Sequence, residues 1–408
     1  MALTGVSNSN TSIILGFVPG GDSRGTMDIV WSCVSALIFC AWTVHDSAIS
    51  DSESQALGEK VFYAFLMVLA PDIALTIALR DFLGARDVVY ECNKHWDVQN
   101  GPNRWSMVEG FYACMKGFVL EKSISSDEES SISLDGQNSL SPDVEKLLSP
   151  DKEKSSQRLL SSEDVIYLVK RDFITSKPYA HAIDVRSKAD RVSTIIACIQ
   201  VLWLFVQCIA RAIDDLPITT LEFGTVGYIA IACAIYALKW HKPQVVAIRI
   251  PISLCRGKSV ESAIGALDSR GAVRGKDGSR EDPAGSLGRM QVYFAWLLCC
   301  MVGVGFDLWH CVAWNSFFPT HAEQQLWRVC AVLSSVPYIP LVITLNLEQS
   351  SNERRKILHT LRYSFIVLFG LMIIFTRGFL FVEMLIGVRR MPEGVFGAVK
   401  WLDVFAHI

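Results

Sequence analysis

Apolar residues in this chain fall into blocks of about twenty, divided by stretches where Ser, Lys, Arg, Asp and Glu concentrate. A helix of that length crosses ~30 Å of hydrocarbon at a rise of about 1.5 Å per residue. Seven such spans are expected: Met27–Thr43, Val61–Leu79, Val192–Ile213, Thr225–Trp240, Val292–Trp309, Leu326–Leu345 and Ser364–Ile386. The second contains Pro71-Asp72, which a membrane helix tolerates where neighbours satisfy the backbone groups that proline frees. The block Trp105–Leu120 carries Glu109 and Lys116 and reads as an interfacial or re-entrant helix, or an eighth span if it crosses. The expected fold is all-α, a polytopic transmembrane helical bundle.

Around the spans the pattern predicts an N-terminal segment at 1–26 and a first membrane region at 27–120. A polar loop follows at 121–165, then spans three and four within 192–240 and a basic loop at 241–291. Spans five to seven lie in 292–386, and a tail follows at 387–408. The loop at 121–165 is acidic, rich in Ser and poor in aromatics, so it cannot bury enough apolar surface to offset chain entropy and is expected to be disordered. Ser141 and Ser149 precede proline, and Ser125 and Ser126 precede acids, which suits cytosolic kinases.

Composition agrees with a membrane chain: of 408 residues 51% are hydrophobic and only 19% charged. A net charge of −3 argues against a nucleic-acid partner held by global charge. The first residues show no basic region ahead of an apolar core, so no cleavable leader is expected. Of twelve cysteines, eight sit inside predicted spans and none forms a Cys-x-x-Cys pair, which favours packing over bridges. Lys and Arg concentrate in 241–291 and at Arg354, Arg355, Lys356 and Arg362, while 214–222 is acidic and 315–325 has no Lys or Arg. The first pair is therefore expected in the cytosol and the second pair outside. With seven spans the N-terminus would be inside. An extra crossing at 105–120 would place it outside, where the sequon at Asn10 is open to glycosylation.

Ionisable side chains inside a membrane cost several kcal/mol on insertion scales, so each is a candidate site. Asp72, Asp307, His310, Arg377 and Glu383 qualify. Asp72 and Arg377, both near mid-span, suit an interhelical ion pair. Asp307 and His310 share one helix face and suit an Asp–His pair in a pocket, or a polar helix end beside the aromatic belt of Trp309 and Trp314. His321 and Glu323 follow a Phe-Phe-Pro turn, but nothing in the spacing demands a third ligand, so no metal is assigned. Asp214-Asp215 has the look of a magnesium-binding Asp pair without a second acidic cluster to match.

Taken in order, SRGTMDIVWSC (23–33), LAPDIAL (69–75), WSMVEGFYACMKGFVL (105–120), CIQVLWLFVQCIAR (198–211), HCVAWNSFFPTHAEQQLWR (310–328) and RGFLFVEMLIGVRRMPEGVF (377–396) are the pieces of a recognisable pattern. The chain resembles a fungal-specific family of multi-pass membrane proteins, some encoded in secondary-metabolite gene clusters. The resemblance marks His310, Trp314, Pro319, Glu323, Arg328 and Arg377 as residues the architecture depends on. Asp307 stands where the pattern has a small residue, and Asp72 where it has Glu.

What the resemblance implies is a part in fungal natural-product biosynthesis, similar to the membrane protein accompanying cyclisation enzymes in pyrrocidine- and hirsutellone-type clusters. The expected partners are the bilayer, a lipophilic intermediate and other pathway enzymes, in the endoplasmic reticulum or plasma membrane, with no cofactor. In that reading Asp72, His310 and Glu383 are the candidate proton donors and acceptors. Export of a metabolite, or a receptor or scaffold recruiting partners through 121–165, are the alternatives.

Overall fold

The computed structural model describes residues 13–21, 24–43, 53–96, 104–121, 157–174, 195, 198–199, 201–243, 249–255, 257–276, 286–338 and 352–399. Asn10 and the serines of 122–156 lie outside the described residues. Helices dominate: α1 (Thr26–Thr43), α2 (Glu53–Leu69), α3 (Pro71–Trp96), α4 (Met107–Cys114), α5 (Ser162–Lys170), α6 (Val201–Ile213), α7 (Thr220–Lys239), α8 (Val260–Lys276), α9 (Ser286–Val312), α10 (His321–Leu333) and α11 (Asn352–Gly387). Short strands β1 (Ile14–Leu15), β2 (Phe118–Glu121), β3 (Gln157–Leu159), β4 (Ile250–Pro251) and β5 (Met391–Pro392) form a two-stranded and a three-stranded sheet.

Among the described residues four helices, rather than the seven expected, are long and apolar enough to cross a membrane: Thr26–Thr43, Thr220–Lys239, Tyr293–Asn315 and Val367–Gly387. Their outer faces carry large apolar side chains, such as Trp31 at 71% and Phe375 at 73% exposure, as lipid-facing positions would. The second expected span breaks at Ala70, and its two halves become α2 and α3. The third is described only as the shorter apolar helix Val201–Ile213. The sixth gives α10, which ends at Leu333 in a turn, and its last residues lie outside the described set.

One large core joins α1, α2, α3, α6, α7, α9, α10 and α11 through residues such as Cys33, Met67, Leu204, Ile229, Phe306, Trp327 and Leu380. Close approaches tighten it. A Cβ on Gly224 of α7 would lie 1.9 Å from Met384 Sδ on α11. Trp309 Nε1 donates to Phe223 O at 2.9 Å while the two rings stack at 4.3 Å. All twelve cysteines are free, as packing residues should be.

Contacts at the helix ends fix their directions. Arg24, just before α1, pairs with Glu222 at the start of α7, and Thr43 at the end of α1 meets Tyr236 near the end of α7, so these helices run parallel. Trp309 and Met384 reach the start of α7 from late in α9 and α11, so those two run the opposite way. β1 pairs antiparallel with β5, Ile14 opposite Pro392, which puts the N-terminal and C-terminal segments at the same end of the bundle. Arg211 locks that end, donating to Pro217 O, Gly394 O, Val395 O and Gly397 O.

A second, smaller core was not foreseen. The later part of α3 packs with α4, α5, α8 and the sheet β3-β2-β4 around Val88, Trp105, Tyr112, Phe118, Leu168, Ile252 and Leu267. The block 105–120 is therefore a short helix and a strand rather than one interfacial helix. Glu109, polar baggage in a membrane helix, is the N3 residue of a capping box: its Oε2 accepts from Ser106 N at 2.8 Å. Lys116 turns left-handed at φ 57°, and Gly117 N donates to Tyr112 O at 2.9 Å, so the helix ends and β2 begins. The end of the presumed disordered loop is folded too, as β3 and α5, and the basic loop supplies β4 and α8. β2 pairs with both, Val119 opposite Leu159 and Phe118 opposite Ile250, so the borders of those two loops lie together.

Candidate functional site

The break at Ala70–Pro71 builds the centre of the bundle. Proline as first residue of α3 has no N–H to give, and Ala70 serves as the hinge between two helices. The carbonyls left over at the end of α2 find new donors: Tyr228 Oη donates to Val68 O at 2.8 Å, and Arg377 Nη1 to Leu69 O at 3.4 Å. Asp72, in the first turn of α3, then faces Arg377 of α11 at 2.5 Å. An acid at a helix N-terminus is favoured by the helix dipole as well as by the guanidinium.

Arg377 uses its whole fork. Nε donates to Asp307 Oδ1 on α9 at 2.9 Å, and Nη2 donates to Tyr338 Oη at 2.9 Å. Tyr338 in turn donates to Asp72 Oδ2 at 2.6 Å. Cys299 Sγ lies 4.0 Å from the same oxygen, and the Arg377 guanidinium sits 5.3 Å above the Phe306 ring. Asp72, Asp307 and Arg377 are each at most 2% exposed. Asp307 Oδ2 accepts no hydrogen bond of ordinary geometry. Besides Arg377, buried Ser334 reaches that carboxylate, and its hydroxyl donates to Ala331 O at 3.0 Å. Five segments of chain therefore meet on one arginine.

The expected Asp72–Arg377 pair is present, and the Asp–His pair is not. His310 turns away from Asp307; its Nδ1 faces Phe306 O at 2.9 Å, and its ring packs between Phe306 and Trp327 at 4.9 and 5.8 Å. Trp327 Nε1 donates to His310 O at 3.1 Å. His310 thus joins α9 to α10 by packing. The other pattern residues do related work. Thr320 caps α10, accepting from Glu323 N at 3.2 Å, directly after Pro319. Arg328 donates to Trp314 O at 3.0 Å and lies 5.2 Å over that ring.

Glu383 is brought to Glu323, not to Asp72. Glu323 forms an ion pair with Arg389, while Glu383 Oε1 and Glu323 Oε2 are buried without other donors. The two carboxyl groups lie within reach of each other, beside Arg389. Asp214-Asp215 forms the stop of α6: Asp215 adopts φ 55°, and Leu216 N donates to Arg211 O at 2.9 Å. Among the described residues no three His, Cys, Asp or Glu side chains come together as metal ligands.

Tyr338 and Ser334 are the members of the centre that sequence reading passed over. Their signal is faint, a tyrosine framed by Pro337 and Pro340 after a Ser-Ser step in an otherwise apolar block. At the bundle end holding the β1–β5 pair, a cleft of about 260 Å³ opens between the starts and ends of helices. Thr219, Thr220, Asn315 and exposed Arg390 line it with Ile218, Phe317 and Met391.

The chain belongs to a family of unknown function, DUF8562, which matches residues 1–267. The match takes in Asp72 and most of the smaller core and stops before Asp307, Tyr338 and Arg377. No curated protein and no solved structure matches the chain.

Proposed function

We propose that this chain is a multi-pass protein of the endoplasmic reticulum or plasma membrane that holds a small amphipathic molecule at one end of its bundle. Its role in this reading is auxiliary to fungal secondary-metabolite biosynthesis, where it keeps a lipophilic intermediate oriented for a partner enzyme. The observation that carries this is the cleft lined by Thr220, Asn315 and Arg390 on its polar side and Phe317 and Met391 on its apolar side. Its volume of about 260 Å³ is slightly below the ~300–1,000 Å³ of ordinary ligand sites, so it suits the head of an amphiphile whose tail stays in lipid. Arg390 favours an anionic head such as a carboxylate. Orientation and exclusion of water are what such a site would contribute to a cyclisation.

Helix direction supports six crossings. After α1 the chain returns to the start of α7 at the opposite end of the bundle, which requires the region of α6 to cross. Between the end of α9 and the start of α11 the chain changes ends once more, and α10 leads into that return. Together with the four long apolar helices that makes six, with α2 and α3 a broken pair and the β1–β5 pair on one side. By the distribution of Lys and Arg that side is outside, which makes Asn10 a usable glycosylation acceptor.

Native mass spectrometry of the protein extracted from its own membranes tests the ligand reading. The expected result is a bound organic acid that is lost in Arg390→Glu. A wild-type spectrum carrying only phospholipid, or the same adduct in both proteins, would contradict it. Export is the second reading, favoured by the buried charged centre, since intramembrane charges often line transport paths.

A further inference from the structure

The buried centre has unequal charge. Arg377 supplies one positive charge, and Asp72 and Asp307 would supply two negative ones, all within hydrogen-bonding distance and all at most 2% exposed. An unbalanced carboxylate in a protein interior costs several kcal/mol, and such a group takes up a proton instead. Among the described residues, the groups packed around the centre offer no second cation. α9 brings Cys299 and Cys300, and one turn beyond Asp307 the ring of His310, which is held against Phe306 O and Trp327. α7 brings Tyr228, the segment after α10 brings Ser334 and Tyr338, and α2 brings the Leu69 carbonyl.

Hydrogen bonding separates the two aspartates. Asp72 accepts on both oxygens, from Arg377 Nη1 at 2.5 Å and from Tyr338 Oη at 2.6 Å. Asp307 accepts only on Oδ1, from Arg377 Nε at 2.9 Å, and its Oδ2 is buried without a donor. Ser334, already donating to Ala331 O, keeps lone pairs free to accept.

We infer that Asp307 is a proton-binding site: its Oδ2 carries a hydrogen donated to Ser334 Oγ, and the neutral centre consists of Arg377, ionised Asp72 and protonated Asp307. Departure of that proton to water leaves one net negative charge among α3, α9 and α11, so proton loss is coupled to opening of these helices.

Infrared spectroscopy of the purified protein in detergent at neutral pH tests this, with the carboxylic-acid C=O band as the readout. The expected result is a band lost in Asp307→Asn and retained, shifted to higher wavenumber, in Ser334→Ala. Asn reproduces the protonated acid, accepting from Arg377 and donating to Ser334, so Asp307→Asn should also keep the wild-type melting temperature. An unchanged band in Asp307→Asn overturns the inference, because the acid is then elsewhere. Failure of Asp307→Asn to fold overturns it as well, because the position then needs an anion.

Discussion

Arg377 has the most to lose of any single residue. Replacing it with Ala leaves Asp72 with only the Tyr338 hydroxyl and takes from Asp307 its guanidinium donor, and breaking a buried ion pair from one side costs about 3–5 kcal/mol. Loss of a folded monomer in detergent, or a melting temperature many degrees lower, is the expected outcome. A wild-type melt would show that the pair is dispensable. Tyr338→Phe removes one donor from Asp72 and one acceptor from Arg377, for which a loss of about 1–3 kcal/mol is expected in denaturant unfolding. At this scale the sequence was legible where chemistry was conspicuous: a carboxylate and an arginine at mid-span pointed to each other. Asp307 and His310 misled because helical spacing says which residues share a face and not which neighbour that face meets. Three apart, they diverge enough that one reaches Arg377 while the other packs on Trp327.

Elements were legible where apolar length decided them and illegible where turns did. α1, α7, α9 and α11 follow the expected spans closely, because a twenty-residue apolar run of about that length has few other uses. The second span failed at Pro71, whose missing N–H ends one helix and starts the next. The block 105–120 failed for a different reason. Ser106 and Glu109 are a capping box followed by a left-handed stop at Lys116, local signals that outweigh apolar content. Gly110 shows how tightly α4 is seated, since an added Cβ would lie 2.5 Å from Ala85 O, a backbone atom unable to yield. Gly110→Ala is therefore expected to cost about 1–3 kcal/mol and to expose the borders of 121–157 to protease, with the bundle intact. Equal protease resistance would mean that α4 and α3 are not in contact.

Lys170 of α5 ties this smaller unit to α3 through Glu91 at 2.6 Å, and that hydrogen bond holds the Glu91 carboxyl below its ordinary range. A depressed carboxyl stabilises the fold above its unfolded pKa and loses that contribution as pH falls through the folded value. Both side chains are about a third or more exposed, so the effect is small and screened by salt. Glu91→Gln should flatten the acid limb of the stability–pH profile at low salt and change little at neutral pH. An unaltered acid limb would remove the pair from the account.

On the scale of the whole molecule, a bundle closes around one arginine, the borders of two polar loops build a second unit, and a cleft opens at the bundle end that holds the β1–β5 pair. Tags at the N- and C-termini are expected to be reached from the same side of sealed vesicles, because β1 and β5 pair. Opposite accessibility would demand an odd number of crossings. The overall class was legible from composition, whereas the count of crossings and the second core were not, since both depend on which segments pair across long stretches of chain. The measurement that bears most directly on the proposed role is metabolite profiling, of cells and medium separately, in a strain lacking the gene and complemented with wild type or Arg390→Glu. Uncyclised intermediate in both compartments, corrected by wild type and not by the variant, is the predicted result. Intact final product retained in the cells, or an unchanged profile, would contradict it.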